Sequence, residues 1–590
     1  MAESVKTMLT RTVTLADQVA AKAGSTKCLP EFFELRSRVT ELAAALRLAA
    51  GTDLYERPAE RIIPCSLDAL ALTDRCFQGQ YSRLRRFLAF SFSPVPTVRR
   101  TLKVLDDALA DVVWLLRISS PHADGDMLGL PNILRGDPKL FLVWDHIARV
   151  HHGSPAVRAD SASSLASLAR DSPCFAELIV QEDGVRPLVN LLKAGTDDGK
   201  EAAATALGLL GRDEESVDML LRADVCFVFA AALKEPSMRV QAAVTEAIAL
   251  LAHHNDSERL QDSFAQTDAV RLLLGHLDDS SSRTSVRSRN TPPPGPMTSL
   301  HSFVRAKMSS VHQDRHRQTC KMHSVVLSVL AANKASQPNS NGPTGDQPEA
   351  KARMKAMAAM AVWKLARGHA AVCQSITESG ALVCFARLLD SGVGSELRFY
   401  SAMTIMEITR VAELNLALRQ SAFKPAAKAA VTEQLLRIVP VRDDYDPLLL
   451  PCITSLGCLS RTFTASQTTR VVGLLVELLD NRGPSVTREA ILALTKFACT
   501  QNHLHVNHSR AIVDVGGAQH LVLLVYLGDR QLQTEALILL CCIALNVPEK
   551  EELAQAGVLA VLMWASEQVH LVLDDRVETL RTNAVGALLD

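Results

Sequence analysis

Aromatic residues make up only 4% of this chain although 48% of it is hydrophobic, so its core has to be built from Leu, Val, Ile and Ala. That is the material of close-packed helices with small residues at their crossings, and it argues against an all-β sandwich. Net charge is lacking too: 63 basic residues against 64 acidic ones leave −1. No global field draws the molecule to nucleic acid or membrane, so any such attraction must be local. No apolar run approaches the roughly 18 residues of a transmembrane helix. The opening MAESVKTMLTRTV has no signal-type apolar region, residue 2 is Ala where myristoylation needs Gly, and the terminal GALLD has no prenylation cysteine. These absences lead us to expect a cytoplasmic chain, with the nucleus as a further compartment. The 13 cysteines are odd in number and lie in apolar helical runs, as Cys541 and Cys542 do in LILLCCIAL. They read as reduced core residues rather than as a disulfide framework. There is no G-x-S-x-G elbow, no P-loop and no convincing dinucleotide fingerprint. We expect no enzyme activity, no cofactor and no small-molecule substrate.

What is present is a repeat. A pattern of about thirteen residues, with apolar and small positions at helical spacing, recurs nine times. Clear copies are VRADSASSLASLA (157–169), RVQAAVTEAIALLA ending at Ala252 and VTREAILALTKFA (486–498); the others begin at Gly199, Met354, Leu397, Leu448, Leu532 and Leu580. Separations of about 38 to 51 residues are those of an armadillo or HEAT solenoid, which presents an extended binding surface rather than a reaction pocket. A shorter helix introduced by a turn precedes the copies, as in EDGVRPLVNLL from Glu182 or QAGVLAVLMWA from Gln555. That selects the armadillo variety. Gly184, Gly380, Gly517 and Gly557 are expected to supply a positive φ in that turn.

The expected fold is all-α, an N-terminal helical bundle followed by an armadillo-repeat superhelical solenoid. Residues 1–118 carry 3–4 spacing without the repeat, for example Leu35, Val39, Leu42 and Leu46, and predict a bundle of about four helices. Pro58, Pro64, Pro94 and Pro96 are expected to punctuate the stretches between them. A linker comes next (119–140), then a first block of repeats (141–278). Residues 279–349 are rich in Ser, Pro, Asn and Gly and cannot bury enough apolar surface to offset their ordering entropy, so they are expected to be a disordered basic insertion between repeats. A second block (350–590) ends in an incomplete repeat.

Several non-repetitive stretches go further. MAVWKLARGHAAVCQSITESGAL (360–382), SAMTIMEIT (401–409), AFKPAAKAAVTEQLLRIV (422–439), SLGCLSRTFTASQTTRVV (455–472) and HSRAIVDVGGAQHLVLLV (508–525) resemble the plant Armadillo-Repeat-Only family. AAATALGLLGRDEESV (202–217) and LHSFVRAKM (300–308) resemble it too, and LYERPAERII (54–63) is similar to its plant-specific leading domain. The resemblance implies a non-enzymatic adaptor near the plasma membrane in polarised tip growth. Its implied partners are regulators or effectors of Rho-of-plants small GTPases. No U-box-like segment is found. A substrate adaptor of the ubiquitin pathway is the alternative.

Armadillo proteins that clasp extended peptides use an Asn ladder on the third helix, with Trp one turn earlier. Here the ladder positions are Ser167, Leu209, Leu250, Lys364, Glu407, Cys458, Lys496 and Cys542. The Trp positions are Ser163, Thr205, Glu246, Met360, Met403, Thr454, Leu492 and Ile538. Both sets of peptide-holding groups are missing, which argues against a nuclear-import receptor. Lys364, Glu407 and Lys496, with Arg410 one position beyond the repeat, are the candidate partner-groove residues; the plainer reading pairs them within the solenoid. In the insertion, Arg283, Arg287, Arg289, Arg305, Lys307, Arg315, Arg317 and Lys321, interleaved with Leu300, Phe303, Val304 and Met308, are candidates for peripheral contact with anionic plasma membrane. A solvated linker with incidental charge is the alternative. Arg83, Arg85, Arg86, Arg99, Arg100 and Lys103 form a second basic group. His312, His316, Cys320 and His323 have one-face helical spacing, and His503, His505 and His508 lie in an apparent loop; neither set is assigned a metal.

Overall fold

The computed structural model describes residues 4–25, 30–81, 95–120, 131–254, 258–277, 347–390, 392, 394–440, 446–481, 483–572 and 575–589, and every element in them is helical. The chain divides into a unit of Met1–Leu277 with Arg353–Asp590 and a second unit, Asp278–Ala352, of which only the opening of one helix is described.

Among the described residues, four helices make the N-terminal bundle: α1 (Val5–Ser25), α2 (Pro30–Ala50), α3 (Glu56–Tyr81) and α4 (Val95–Ile118). The outer pair, α1 and α4, each pack on both α2 and α3. The positions read from 3–4 spacing form the core, with Leu9, Val19, Leu35, Val39, Leu42, Leu46, Leu105 and Val112 all buried. The prolines do not simply mark boundaries. Pro58 sits in the first turn of α3, where a missing N–H costs little, but Pro64 lies inside it. Pro96 opens α4, and Pro94 lies outside the described residues.

After a 3-10 turn at Asn132–Leu134, α5 (Pro138–His152) starts on a cap in which the Asp137 carboxylate accepts from the Leu140 amide at 3.1 Å. This helix has two apolar faces. Leu140, Trp144 and Ala148 join the bundle core, whereas Val143, Ile147 and Val150 join the core of the repeat stack. It is therefore buried on both sides, and it joins bundle to stack.

With α6 (Pro155–Asp171) the stack begins, and three-helix units succeed it. The first is α7 (Pro173–Gln181), α8 (Val185–Ala194) and α9 (Asp197–Leu210); the next is α10 (Glu214–Arg222), α11 (Val225–Ala232) and α12 (Met238–His254). Then come α13 (Glu258–Ala265), α14 (Ala269–Leu277) and α15 (Gln347–Ala366), before α16 (Ala370–Glu378), α17 (Ala381–Leu388) and α18 (Ser395–Leu414). The fifth unit is α19 (Leu416–Ala422), α20 (Pro425–Ile438) and α21 (Leu449–Cys458). The sixth has no separate first helix: a 3-10 turn, Ser460–Thr462, precedes α22 (Ala465–Glu477) and α23 (Pro484–Ala498). The last two are α24 (His505–Asp514), α25 (Gly517–Leu527) and α26 (Arg530–Asn546), then α27 (Glu551–Gln555), α28 (Val558–Ala565), the single turn α29 (Val569–Val572) and α30 (Asp575–Leu589). The nine copies of the sequence pattern fall on the nine third-type helices from α6 to α30. The Ser- and Pro-rich segment was expected between repeats. It instead leaves a second-type helix, α14, and re-enters a third-type one, α15, so it lies inside a repeat.

Third helices approach closely because small residues meet there. A Cβ on Gly208 of α9 would stand 2.6 Å from the Ala247 Cα of α12, and one on Gly457 of α21 would stand 2.8 Å from the Ala493 Cα of α23. The turn glycines behave less uniformly than their sequence implies. Gly380 and Gly557 have the expected positive φ, 74° and 73°, but in the other two turns Asp183 (61°) and Gly516 (84°) take it. Gly184 and Gly517 are required for space instead: their Cβ atoms would meet the carbonyl oxygens of Ile179 and Ile512 at 2.8 Å. Asp tolerates the left-handed region because its short side chain can bond locally.

Candidate functional site

The third helices carry the ladder positions, of which Leu209, Glu407 and Cys458 are buried, and these helices are laced together by contacts between neighbouring repeats. Arg239 on α12 reaches back to Asp198 (2.9 Å) and Glu201 (2.6 Å) at the start of α9. Arg353 on α15 pairs with Glu246 at 2.9 Å, the Thr454 hydroxyl donates to Glu489 at 2.5 Å, and Arg488 pairs with Glu535 at 2.8 Å. Glu246 and Thr454 hold two of the Trp-type positions, so those sites are engaged by adjacent repeats.

Of the four predicted groove residues, the structure brings three together. Lys364 rests over the Trp363 ring, 4.3 Å from its centroid, and Trp363 stacks on Tyr400 of the next third helix at 5.9 Å. Glu407 is only 5% exposed, with its carboxylate 3.8 Å from Arg410. Burial pushes its pKa up against the opposing pull of Arg410, Arg367, the Gly368 amide and Lys364. Arg410 is half-exposed. Lys496 stands apart: its ammonium reaches past α21 to Glu413 at 2.6 Å, with the Cys458 sulfur at 3.1 Å. Burial would lower the Lys496 pKa, yet Cys458 and Glu413 leave it raised. Since burial pushes Cys458 itself up to about 12, it is a thiol at neutral pH and Glu413 is the charge partner. The sequence pattern does not flag Glu413, because the repeat ends before it. The arrangement leaves Arg410 and the half-buried Lys364 as the accessible charges of this group.

The eight basic residues assigned to membrane contact, and His312, His316, Cys320 and His323, lie outside the described residues, as do Arg83, Arg85 and Arg86. Arg99, Arg100 and Lys103 are exposed along α4. His505 and His508 are on α24 rather than in a loop; only His503 precedes it. His508 is a core histidine, 1% exposed, packed 5.0 Å from the Phe497 ring and within hydrogen-bond distance of Asn502 and the Phe497 carbonyl, both at 3.2 Å. Among the described residues no group of His, Cys, Asp or Glu is arranged to hold a metal ion, and no single helix is long and apolar enough to cross a membrane.

Missed from sequence altogether was a junction centred on Glu182. Its carboxylate accepts from Arg61 of α3 at 2.8 Å and from the Trp144 indole of α5 at 2.8 Å, while its carbonyl accepts from the Tyr55 hydroxyl at 2.7 Å. The Arg61 guanidinium also lies 5.2 Å from the Trp144 ring. One residue of the first complete repeat thus ties down both the bundle and the helix that joins it to the stack.

Comparison with known proteins agrees with this anatomy. Residues 6–120 match a domain of unknown function, DUF7792, and residues 175–212 match the armadillo/beta-catenin-like repeat. The latter span runs from α7 to just past α9, one complete three-helix unit. The fold is all-α, a helical bundle leading a solenoid of armadillo-type three-helix units, one of which carries the repeat match. No curated protein matches. Among solved structures, an engineered protein is similar at 18% identity, covering 76% of this chain and 99% of that one with a TM-score of 0.47. A designed armadillo repeat protein in complex with the peptide (KR)4 is similar at 18% identity over 40% of this chain and 93% of that one, TM-score 0.33. A computationally designed armadillo repeat protein for modular peptide recognition is similar at 16% identity over 54% of this chain and 98% of that one, TM-score 0.36.

Proposed function

We propose that this chain is a non-enzymatic scaffold that binds other proteins along its third-helix surface. The observation that carries the reading is the succession of nine third-type helices, which meet through helix packing or, at α15, through Arg353–Glu246 and Trp363–Tyr400, and offer a surface longer than a small-molecule pocket. Such a surface suits extended or domain-sized partners, and two weak contacts on one scaffold reinforce each other through effective concentration. The resemblance to the Armadillo-Repeat-Only family supports a finer version, an adaptor for Rho-of-plants GTPase regulators or effectors in polarised tip growth. In that version the protein is cytoplasmic with peripheral attachment to anionic plasma membrane.

The test is capture from a tip-growing plant cell with the intact chain beside a Lys364→Glu/Arg410→Glu variant. Reversal at buried Glu407 or ion-paired Lys496 is avoided, and because Arg410 and Lys364 also touch Glu407 and Trp363, the unfolding midpoints of the two baits are compared first. GTPase regulators or effectors lost only from the variant are the expected result. The same set on both baits would place their binding on another surface. Ligase subunits alone would favour the substrate-adaptor reading.

A further inference from the structure

First helices of successive repeats pack side by side: α7 against α10, α10 against α13, α13 against α16, α16 against α19, and α24 against α27. The row is broken once, in the sixth repeat, where only the turn Ser460–Thr462 stands between α19 and α24. A one-turn 3-10 segment cannot fill the width of a helix, and a cavity of about 460 Å³ opens there. Its walls include Leu416 and Arg419 from α19, Phe423 just past its C-terminus, Arg461 from the turn, and Gln501 and His503 from the segment before α24.

The charge of this gap sets it apart. Arg419 donates to the backbone carbonyl of Glu413 at 3.1 Å, and Arg461 donates to the Gln501 side-chain oxygen at 3.4 Å. Both acceptors are neutral, so among the described residues neither guanidinium faces a carboxylate. The carboxylate that could have neutralised Arg419, that of Glu413, is held by Lys496 at 2.6 Å. Among the described residues no Asp or Glu lines the cavity. Elsewhere on the stack Arg239, Arg353 and Arg488 face carboxylates directly, and Arg158, Arg212 and Arg398 donate to backbone carbonyls; this gap brings two arginines with neutral acceptors to one cavity. The lip beside the groove is apolar: Leu416 is 57% exposed and Leu414 92% exposed.

We propose that this groove is a docking site for an acidic, carboxylate-rich segment of a partner protein that carries an apolar anchor. The carboxylates face Arg419 and Arg461, and the anchor covers Leu416 and Leu414. Charge complementarity decides the occupant, since a basic or neutral segment would leave both guanidinium groups without a counter-charge. The site deepens the protein-binding reading and rests on it.

The experiment is fluorescence anisotropy of the full chain with a labelled peptide of Glu residues interrupted by Leu, beside the same peptide with Gln for every Glu. Vesicles containing phosphatidylserine form a third arm. The Glu peptide is expected to bind, more weakly as salt rises, and the Gln peptide not to bind. Arg419→Glu/Arg461→Glu should weaken binding by about tenfold or more, Leu416→Ser should weaken it less, and Arg186→Glu, an exposed charge on α8, should leave it unchanged. Unfolding midpoints are compared first; if the double reversal fails to fold, His503→Glu and Leu416→Ser carry the test. Binding indifferent to the reversal, equal binding of the Gln peptide, or loss of vesicle binding with the peptide unaffected would each overturn the proposal. If partners are still captured by the intact chain, only the groove assignment falls. If no bait captures any, the scaffold reading falls with it.

Discussion

At the scale of single residues, a charged side chain at a ladder position has three fates here. Lys364 is half-buried over the Trp363 ring, Lys496 is consumed by an internal ion pair, and Glu407 is buried with its pKa raised by that burial. A carboxyl raised in the folded state binds its proton more tightly there than in the unfolded chain. It therefore favours folding below its ordinary range and costs stability as pH rises through the folded pKa. Glu407→Gln should raise the thermal midpoint at pH 7.5, with the gain shrinking as pH falls toward 5. A loss that grows with pH would mean that Arg410 holds the ionised carboxylate more strongly than burial penalises it, and a gain constant with pH would mean that its protonation is not linked to folding. The identity of these residues was legible in the sequence; their fates were not. Lys496 meets Glu413 across a separation of 83 residues, and no spacing rule links positions so far apart in the chain.

At the scale of elements, the repeat pattern marks every third helix because their burial imposes a 3.6-residue period. The first and second helices are mostly shorter, α20 of the fifth repeat being the exception, and the sixth repeat replaces a first helix by one 3-10 turn, which the period alone does not reveal. The crossings test the role of the small residues. Gly208→Ala should destabilise by about 1–3 kcal/mol, since the new methyl meets the Cα of Ala247 and backbone cannot move aside. Gly473→Ala, in the interior of α22 with nothing within 4 Å of the added carbon, should instead stabilise by about 0.5–1 kcal/mol through helix propensity. Chemical denaturation of the two variants side by side reads both signs. If they shift the same way, crossing geometry does not explain why Gly stands at position 208.

At the scale of the whole molecule, a stack in which each repeat touches only its neighbours distributes stability locally. The four tryptophans lie along it, with Trp114 and Trp144 near the bundle junction, Trp363 on α15 and Trp564 on α28. Glu182→Ala leaves the buried Trp144 indole without its acceptor, a loss of about 1–3 kcal/mol. In variants that keep either Trp114 and Trp144 or Trp564 alone, the others replaced by Phe, this substitution should lower the urea midpoint seen at the junction. The midpoint seen at Trp564 should stay where it is. Equal shifts at both would show that the array unfolds as one cooperative unit.

The amino-acid sequence alone determined the helical class, the number of third helices and the leading bundle, because each depends on short-range periodicity that burial enforces within one helix. It also located the Ser- and Pro-rich segment, although not its place inside a repeat. Only tertiary structure decided which face each ladder charge meets, how Glu182 joins bundle to stack, and where the row of first helices opens into a basic groove. Those features depend on pairs of residues brought together from distant parts of the chain, whose meeting is set by how helices cross rather than by the pattern within any one of them.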